Sequence, residues 1–119
     1  MNPSLRAVLD SRGDVDVEAL SALLQVPAER LAESIGIDAS DVVGAPTDRD
    51  SDTNERWRQL VDVLGCTAPW AGTLAMAWAH FRSYPIPAFG GLTAEALLAS
   101  GRADELLQYV RHIEQGGYA

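Results

Sequence analysis

Few residues in this chain are equipped for reaction chemistry. His80 and His112 are the only histidines and Cys66 the only cysteine. Neither histidine has a carboxylate or a second histidine at a spacing that would hold a metal. His112 and Glu114 are two apart, so a helix would not let them face each other. Cys66 follows Gly65 with no basic neighbour in sequence to favour a thiolate, and it reads as a small core filler at a helix junction. Gly90-Gly91 lacks the lysine and the hydroxyl residue that make a phosphate-cradling loop. The expectation is a protein that is not an enzyme and takes no metal or cofactor. The remaining chemistry is recognition by aromatic, apolar and arginine side chains.

The elements that would position those side chains read as helices throughout. Helices are expected over 3–11, 17–25, 28–35 and 39–43, with Pro27 suited to the first turn of the third. Gly13, Gly36 and Gly44 punctuate them. Residues 45–53, APTDRDSDT, are polar and proline-bearing, the clearest linker, and Asp52 or Thr53 is placed to cap the next helix. Over 53–64, Trp57, Leu60, Val61 and Leu64 form an i, i+3, i+4, i+7 stripe, closed by Gly65. A further helix is expected from Pro69 to Ser83, with Trp70, Leu74, Trp78 and Phe81 on one face. All three tryptophans therefore read as core. Residues 84–91, YPIPAFGG, forbid a helix. Thr93 is placed to cap a short helix over 94–100, with Glu95 near its positive end. The last helix, 103–115, turns Leu106, Leu107, Val110 and Ile113 inward. The fold class is thus an all-α small bundle, divided into an N-terminal helical region (1–52) and a C-terminal module (53–119).

Composition sets limits on both. With 119 residues and 47% apolar content, the chain can bury a real core. No apolar run approaches the ~20 residues of a membrane span. A single cysteine excludes an intrachain disulfide. The N-terminus has no basic stretch leading into an apolar one, and a cytoplasmic location is expected. The net charge of −8 is unevenly distributed. Residues 1–55 hold four arginines (Arg6, Arg12, Arg30, Arg49) against twelve acids, whereas residues 56–119 hold five arginines against five acids. All nine basic residues are arginine.

That asymmetry bears on the N-terminal half. The spacing of Ala32, Gly36 and Val42 fits a helix-turn-helix: a small residue at the helix contact, a glycine at the turn, an apolar anchor beyond it. A transcriptional regulator, or an autoregulator of its own operon, is therefore the alternative function. DNA affinity needs basic groups against phosphates and donors against base edges. The recognition region offers Asp38, Ser40 and Asp41, and Arg30, Ser40 and Arg49 are its only candidate DNA contacts. The expectation is a structural unit, for packing or dimerisation.

The run from Trp78 onward is distinctive. It reads W-x-x-F-x-x-x-P-I-P-A-F-G-G-L-T-A-E-A-L-L, then S-G-R, then an apolar helix ending H-I-E-Q-G-G-Y-A. This ordered series resembles the C-terminal toxin-binding domain of the Xre/MbcA/ParS-like antitoxin family. Family members carry an aromatic helix, a Pro-x-Pro loop before a glycine pair, a Leu-Leu helix, a glycine, and a last helix ending Ile-Glu-x-Gly-x-Tyr. Phe89 stands where they often have leucine, Ala94 where they often have proline, and Gly117 where varied residues are expected. The resemblance implies an antitoxin for a RES-domain toxin, an ADP-ribosyltransferase-like protein that consumes or uses NAD. It implies that the C-terminal segment covers the toxin's NAD cleft. Ile113, Glu114, Gly116, Gly117, Tyr118 and the Ala119 carboxylate are then the blocking residues. An aromatic can take a base slot by stacking, and a carboxylate can meet the basic groups that hold a pyrophosphate. The last two helices and the Pro-x-Pro loop (Pro85, Pro87, Phe89) are expected to contribute to the same interface, with Arg102 and Arg111 at its rim. A homodimer, or a heterotetramer with the toxin, follows from the family alone.

Overall fold

The computed structural model describes residues 2–38 and 50–114, the last of these in its backbone only. Within them the protein is an all-α bundle with no strand. The helices are α1 (Pro3–Arg6), α2 (Val17–Leu24), α3 (Ala28–Ser34), α4 (Ser51–Ala71), α5 (Leu74–Ser83), α6 (Ala94–Ala99) and α7 (Ala103–Glu114). One hydrophobic cluster extends from Leu5 to Val110, so the N-terminal helices share a core with the later ones. α4 is its axis: α5, α6 and α7 all pack on it, while α3 lies on α6 and α2 on α5. No single helix among the described residues is long and apolar enough to cross a membrane.

Several expected boundaries moved, for local reasons. The first helix ends at Arg6 rather than residue 11. The Asp10 carboxylate accepts the backbone N–H groups of Arg12 (2.8 Å) and Asp14 (3.0 Å), which folds the chain back. Such local side-chain bonds compete with helix formation. Leu9 and Val15 then meet in an isolated antiparallel bridge. The expected helix at 39–43, its anchor Val42 and most of the linker lie outside the described residues. The linker's end does not: residues 51–53 already belong to α4, and Asp50, not Asp52 or Thr53, is the cap, accepting from the Thr53 N–H at 2.7 Å.

The larger correction concerns α4. Gly65 does not close the helix and Pro69 does not start a new one; the helix runs through both to Ala71. Glycine costs a helix about 1 kcal/mol relative to alanine. Here Thr67 and Ala68 continue the buried stripe of Val63 and Leu64 past Gly65, and this burial outweighs that cost. Cys66 is consequently in mid-helix, partly buried, rather than at a junction. The real break is at Gly72 and Thr73. There the chain turns by 111°, and the Thr73 hydroxyl caps α5 by accepting from Met76 N–H at 3.0 Å.

This changes the tryptophan set. Trp57 is fully buried and Trp78 nearly so, as expected. Trp70 is not core; half of its surface is exposed. Because α4 is continuous, Trp70 lies thirteen residues beyond Trp57, about 220° around the helix, and faces away from the stripe.

The N-terminal turn is fixed from outside. Gly36 has φ +77, a left-handed conformation that glycine alone adopts without strain. A Cβ there would also stand 2.7 Å from the Ala99 carbonyl oxygen at the end of α6. Arg56 of α4 donates from Nη1 to the Ile35 carbonyl at 3.0 Å, closing the same seam.

Candidate functional site

The face with the strongest recognition chemistry is built by the ends of α4 and α5, the loop after α5, and α7. The loop is shaped by its prolines. Pro87–Phe89 forms a single 3-10 turn, the one helical piece in a stretch expected to hold none. Ile86 is buried and pairs with Leu92, with Ile86 N–H donating to the Leu92 carbonyl at 3.0 Å. Pro85 and Pro87 are left exposed. Phe89 turns back against α7, its ring edge-on to Tyr109 at 5.5 Å between centroids. The Arg102 guanidinium sits 5.6 Å from the Phe89 ring centroid, and its Nε donates to Glu105 Oε2 at 2.6 Å. The loop is thus held by a cation–π contact and an aromatic pair, each worth about 1 kcal/mol.

Beside this loop lies an open groove of about 230 Å³. α4 contributes Val63, Thr67 and Trp70; α5 contributes His80 and Phe81, and Tyr84 follows as its C-cap. α7 contributes Leu106, Tyr109, Val110 and Ile113, and Ile86 and Ala94 complete it. Among the described residues, His80 is the one acidic or basic side chain in the lining. His80 is sandwiched: its ring stacks on Tyr84 at 4.4 Å and meets Trp70 edge-on at 4.7 Å. Burial between those rings pushes the imidazole below its ordinary pKa, favouring the neutral form. Thr67 uses its hydroxyl proton on the Val63 carbonyl at 2.8 Å, which leaves its oxygen free to accept. The aromatic surface continues outward over α5, where Trp70, Tyr84 and Met76 are among the most exposed large apolar side chains.

The sequence-predicted contact residues fall in three places. Pro85, Pro87, Phe89 and Arg102 form the loop cluster. Ile113, half-buried rather than fully inward, is in the groove wall. Arg111 is exposed and points to α4, with Nη2 4.0 Å from Asp62 Oδ2. Glu114 ends α7. Gly116, Gly117, Tyr118 and Ala119 lie outside the described residues. The groove itself was not foreseen. His80 and Tyr84, four apart at the C-terminal end of α5, were its one legible signal; Trp70 was assigned to the core and Tyr109 was not singled out. No family model, characterised protein or solved structure matches the chain.

Among the candidate DNA contacts, Ser40 and Arg49 are outside the described residues. Arg30 is committed elsewhere. Its Nη1 is 2.6 Å from Glu95 Oε2 on α6, and its guanidinium stands 5.7 Å from the Trp78 ring centroid. The Arg82 guanidinium is 5.4 Å from the same ring. The Glu95 carboxylate holds Arg30 above the ordinary arginine range. Among the described residues, no group of three or more His, Cys, Asp or Glu side chains is arranged to hold a metal ion.

Proposed function

We propose that this protein is an antitoxin that binds a RES-domain, NAD-consuming toxin and blocks its active site with the C-terminal segment. The observation that carries this reading is the ordered run from Trp78 to Tyr118, which resembles the toxin-binding domain of the Xre/MbcA/ParS-like antitoxins. The geometry supports it in one respect. The pieces named by the resemblance surround an open, uncharged, aromatic face, and interfaces concentrate binding energy in such centres. α7 leads from that face directly into the last five residues. In this reading α7 and the Pro-x-Pro loop dock on the toxin, and Tyr118 and Ala119 enter the NAD cleft. The DNA-reading alternative is not favoured, because Arg30 is paired with Glu95 and the N-terminal half is strongly acidic.

The test is NAD consumption by the RES-domain product of the neighbouring gene, with the full chain and with a chain truncated after Gln115. Residues 116–119 are expected to be needed for inhibition, while the truncated chain still co-purifies with the toxin. Undiminished inhibition by the truncated chain rules out the plug. Absence of any complex with the full chain rules out the antitoxin role.

A further inference from the structure

We propose that the groove between α4, α5 and α7 is a socket for an arginine side chain presented by a partner protein. The electrostatics select a cation. Trp70, His80, Phe81, Tyr84 and Tyr109 all line the groove, and ring faces attract positive charge. Among the described residues, His80 is the one acidic or basic side chain in the walls. Its neutral form is favoured, so the walls set no positive charge against an incoming one. The chain as a whole carries −8, which draws cations toward it. The polar atoms point to the same ligand. The Thr67 hydroxyl spends its proton on Val63 and keeps an oxygen to accept. Neutral His80 offers one acceptor nitrogen, and the Tyr84 and Tyr109 hydroxyls can accept as well. A guanidinium has donors only. A carboxylate or phosphate would find no cation in these walls.

Size and hydration separate arginine from lysine. A cavity of about 150 Å³ accepts benzene, so 230 Å³ takes the smaller guanidinium plane with its neighbouring methylenes. That plane stacks on rings and is weakly hydrated, whereas an ammonium is compact and holds its water. Because the groove is open, the guanidinium keeps one edge in water, which spares it the full cost of a buried charge. Elsewhere the molecule covers rings with its own arginines. Trp78 has Arg30 at 5.7 Å and Arg82 at 5.4 Å, and Phe89 has Arg102 at 5.6 Å. Among the described residues, no arginine stands over Trp70, Tyr84 or Tyr109. Arg111 of α7 turns to Asp62 instead. Trp70 and Tyr84 are left 50% and 45% exposed. That the groove takes an arginine stands on these observations alone. That the arginine belongs to a toxin rests on the function proposed above.

The experiment titrates three small probes onto the isolated full chain: the Nα-acetyl amides of arginine, of lysine and of citrulline, the uncharged isostere of arginine. Nuclear magnetic resonance follows the Trp70 indole and the Tyr84 ring. The arginine probe is expected to shift both saturably and to bind about fivefold tighter than citrulline, the effect of one exposed cation–π contact. The lysine probe should bind more weakly than arginine. Trp70→Leu and Tyr84→Leu, at half-exposed positions, should each bring arginine binding down toward the citrulline level, read on the ring that remains, with the helical circular dichroism unchanged. No saturable shift with arginine overturns the proposal. So does an affinity for citrulline or lysine equal to that for arginine, or full arginine binding in both variants. Groove resonances that move when the chain alone is diluted also overturn it, by assigning the groove to a second copy. Because no toxin is present, failure here leaves the antitoxin proposal standing, and failure of that proposal leaves this one.

Discussion

Gly36 and Gly90 both hold the chain at positive φ, +77 and +68. Around Gly36 the space is taken, by the Ala99 carbonyl and the Arg56 guanidinium. Around Gly90 a Cβ would meet nothing within 4 Å. The first turn belongs to an internal seam where α3 is packed onto α6. The second belongs to a loop that leaves its prolines in water beside an uncharged groove. The same backbone device thus serves a surface the molecule has used up and a surface it still offers. The N-terminal turn, read by its spacing as part of a DNA-binding unit, is spent on holding the protein together.

Substitutions can break that contrast in order of size. Leu31→Ala, at a fully buried position of α3, is expected to cost about 2–5 kcal/mol. Tyr84→Ala on the open face should cost under ~1 kcal/mol; chemical denaturation of both variants checks this. A large loss at Tyr84 would mean that the open face is structural. Next, Gly90→Ala should cost about 1–2 kcal/mol for the left-handed backbone alone. Gly36→Ala should cost more, because the new methyl must also displace the Ala99 carbonyl. Equal losses at the two glycines would remove the distinction between seam and loop. A double-mutant cycle on Arg30 and Glu95 should then give a coupling of no more than ~1 kcal/mol, since both side chains keep solvent contact.

The smallest effect is in pH dependence. The folded-state pKa of His80 is depressed, so its contribution is fully present above the ordinary histidine value of 6.5 and is lost as pH falls from there toward the folded value. The midpoint of thermal unfolding should decline over that window, and His80→Gln should flatten it. Asp50 acts in the same direction lower on the scale. Its cap bonds to Thr53 lower its pKa, and that stability is lost as pH falls below 3.8. Asp62 works the other way: burial raises its pKa, so folding loses stability as pH climbs from 3.8 through the raised value.

What was legible in the sequence was mostly local. The Trp57–Leu64 stripe, the Thr93 cap (accepting from Ala96 N–H at 3.1 Å) and the stops at Gly36 and Gly101 depend on residues within a turn or two of each other. The fold class followed from those. What was misread depended on contacts far along the chain. Gly65 looked like a stop because its helix propensity is poor, yet the buried residues beyond it carry the helix through. That error hid the phase of Trp70 and, with it, the groove. Arg30 looked free for DNA because its partner Glu95 lies 65 residues away in the sequence.

The placement of the three tryptophans has an optical consequence. Trp57 and Trp78 are sealed in the core and should emit in the blue, sheltered from acrylamide, while Trp70 should emit further to the red and be readily quenched. The protein therefore carries an unlabelled reporter on its recognition face and two internal standards behind it. Anything that settles over α5 should change one component of the emission and leave the other two where they were.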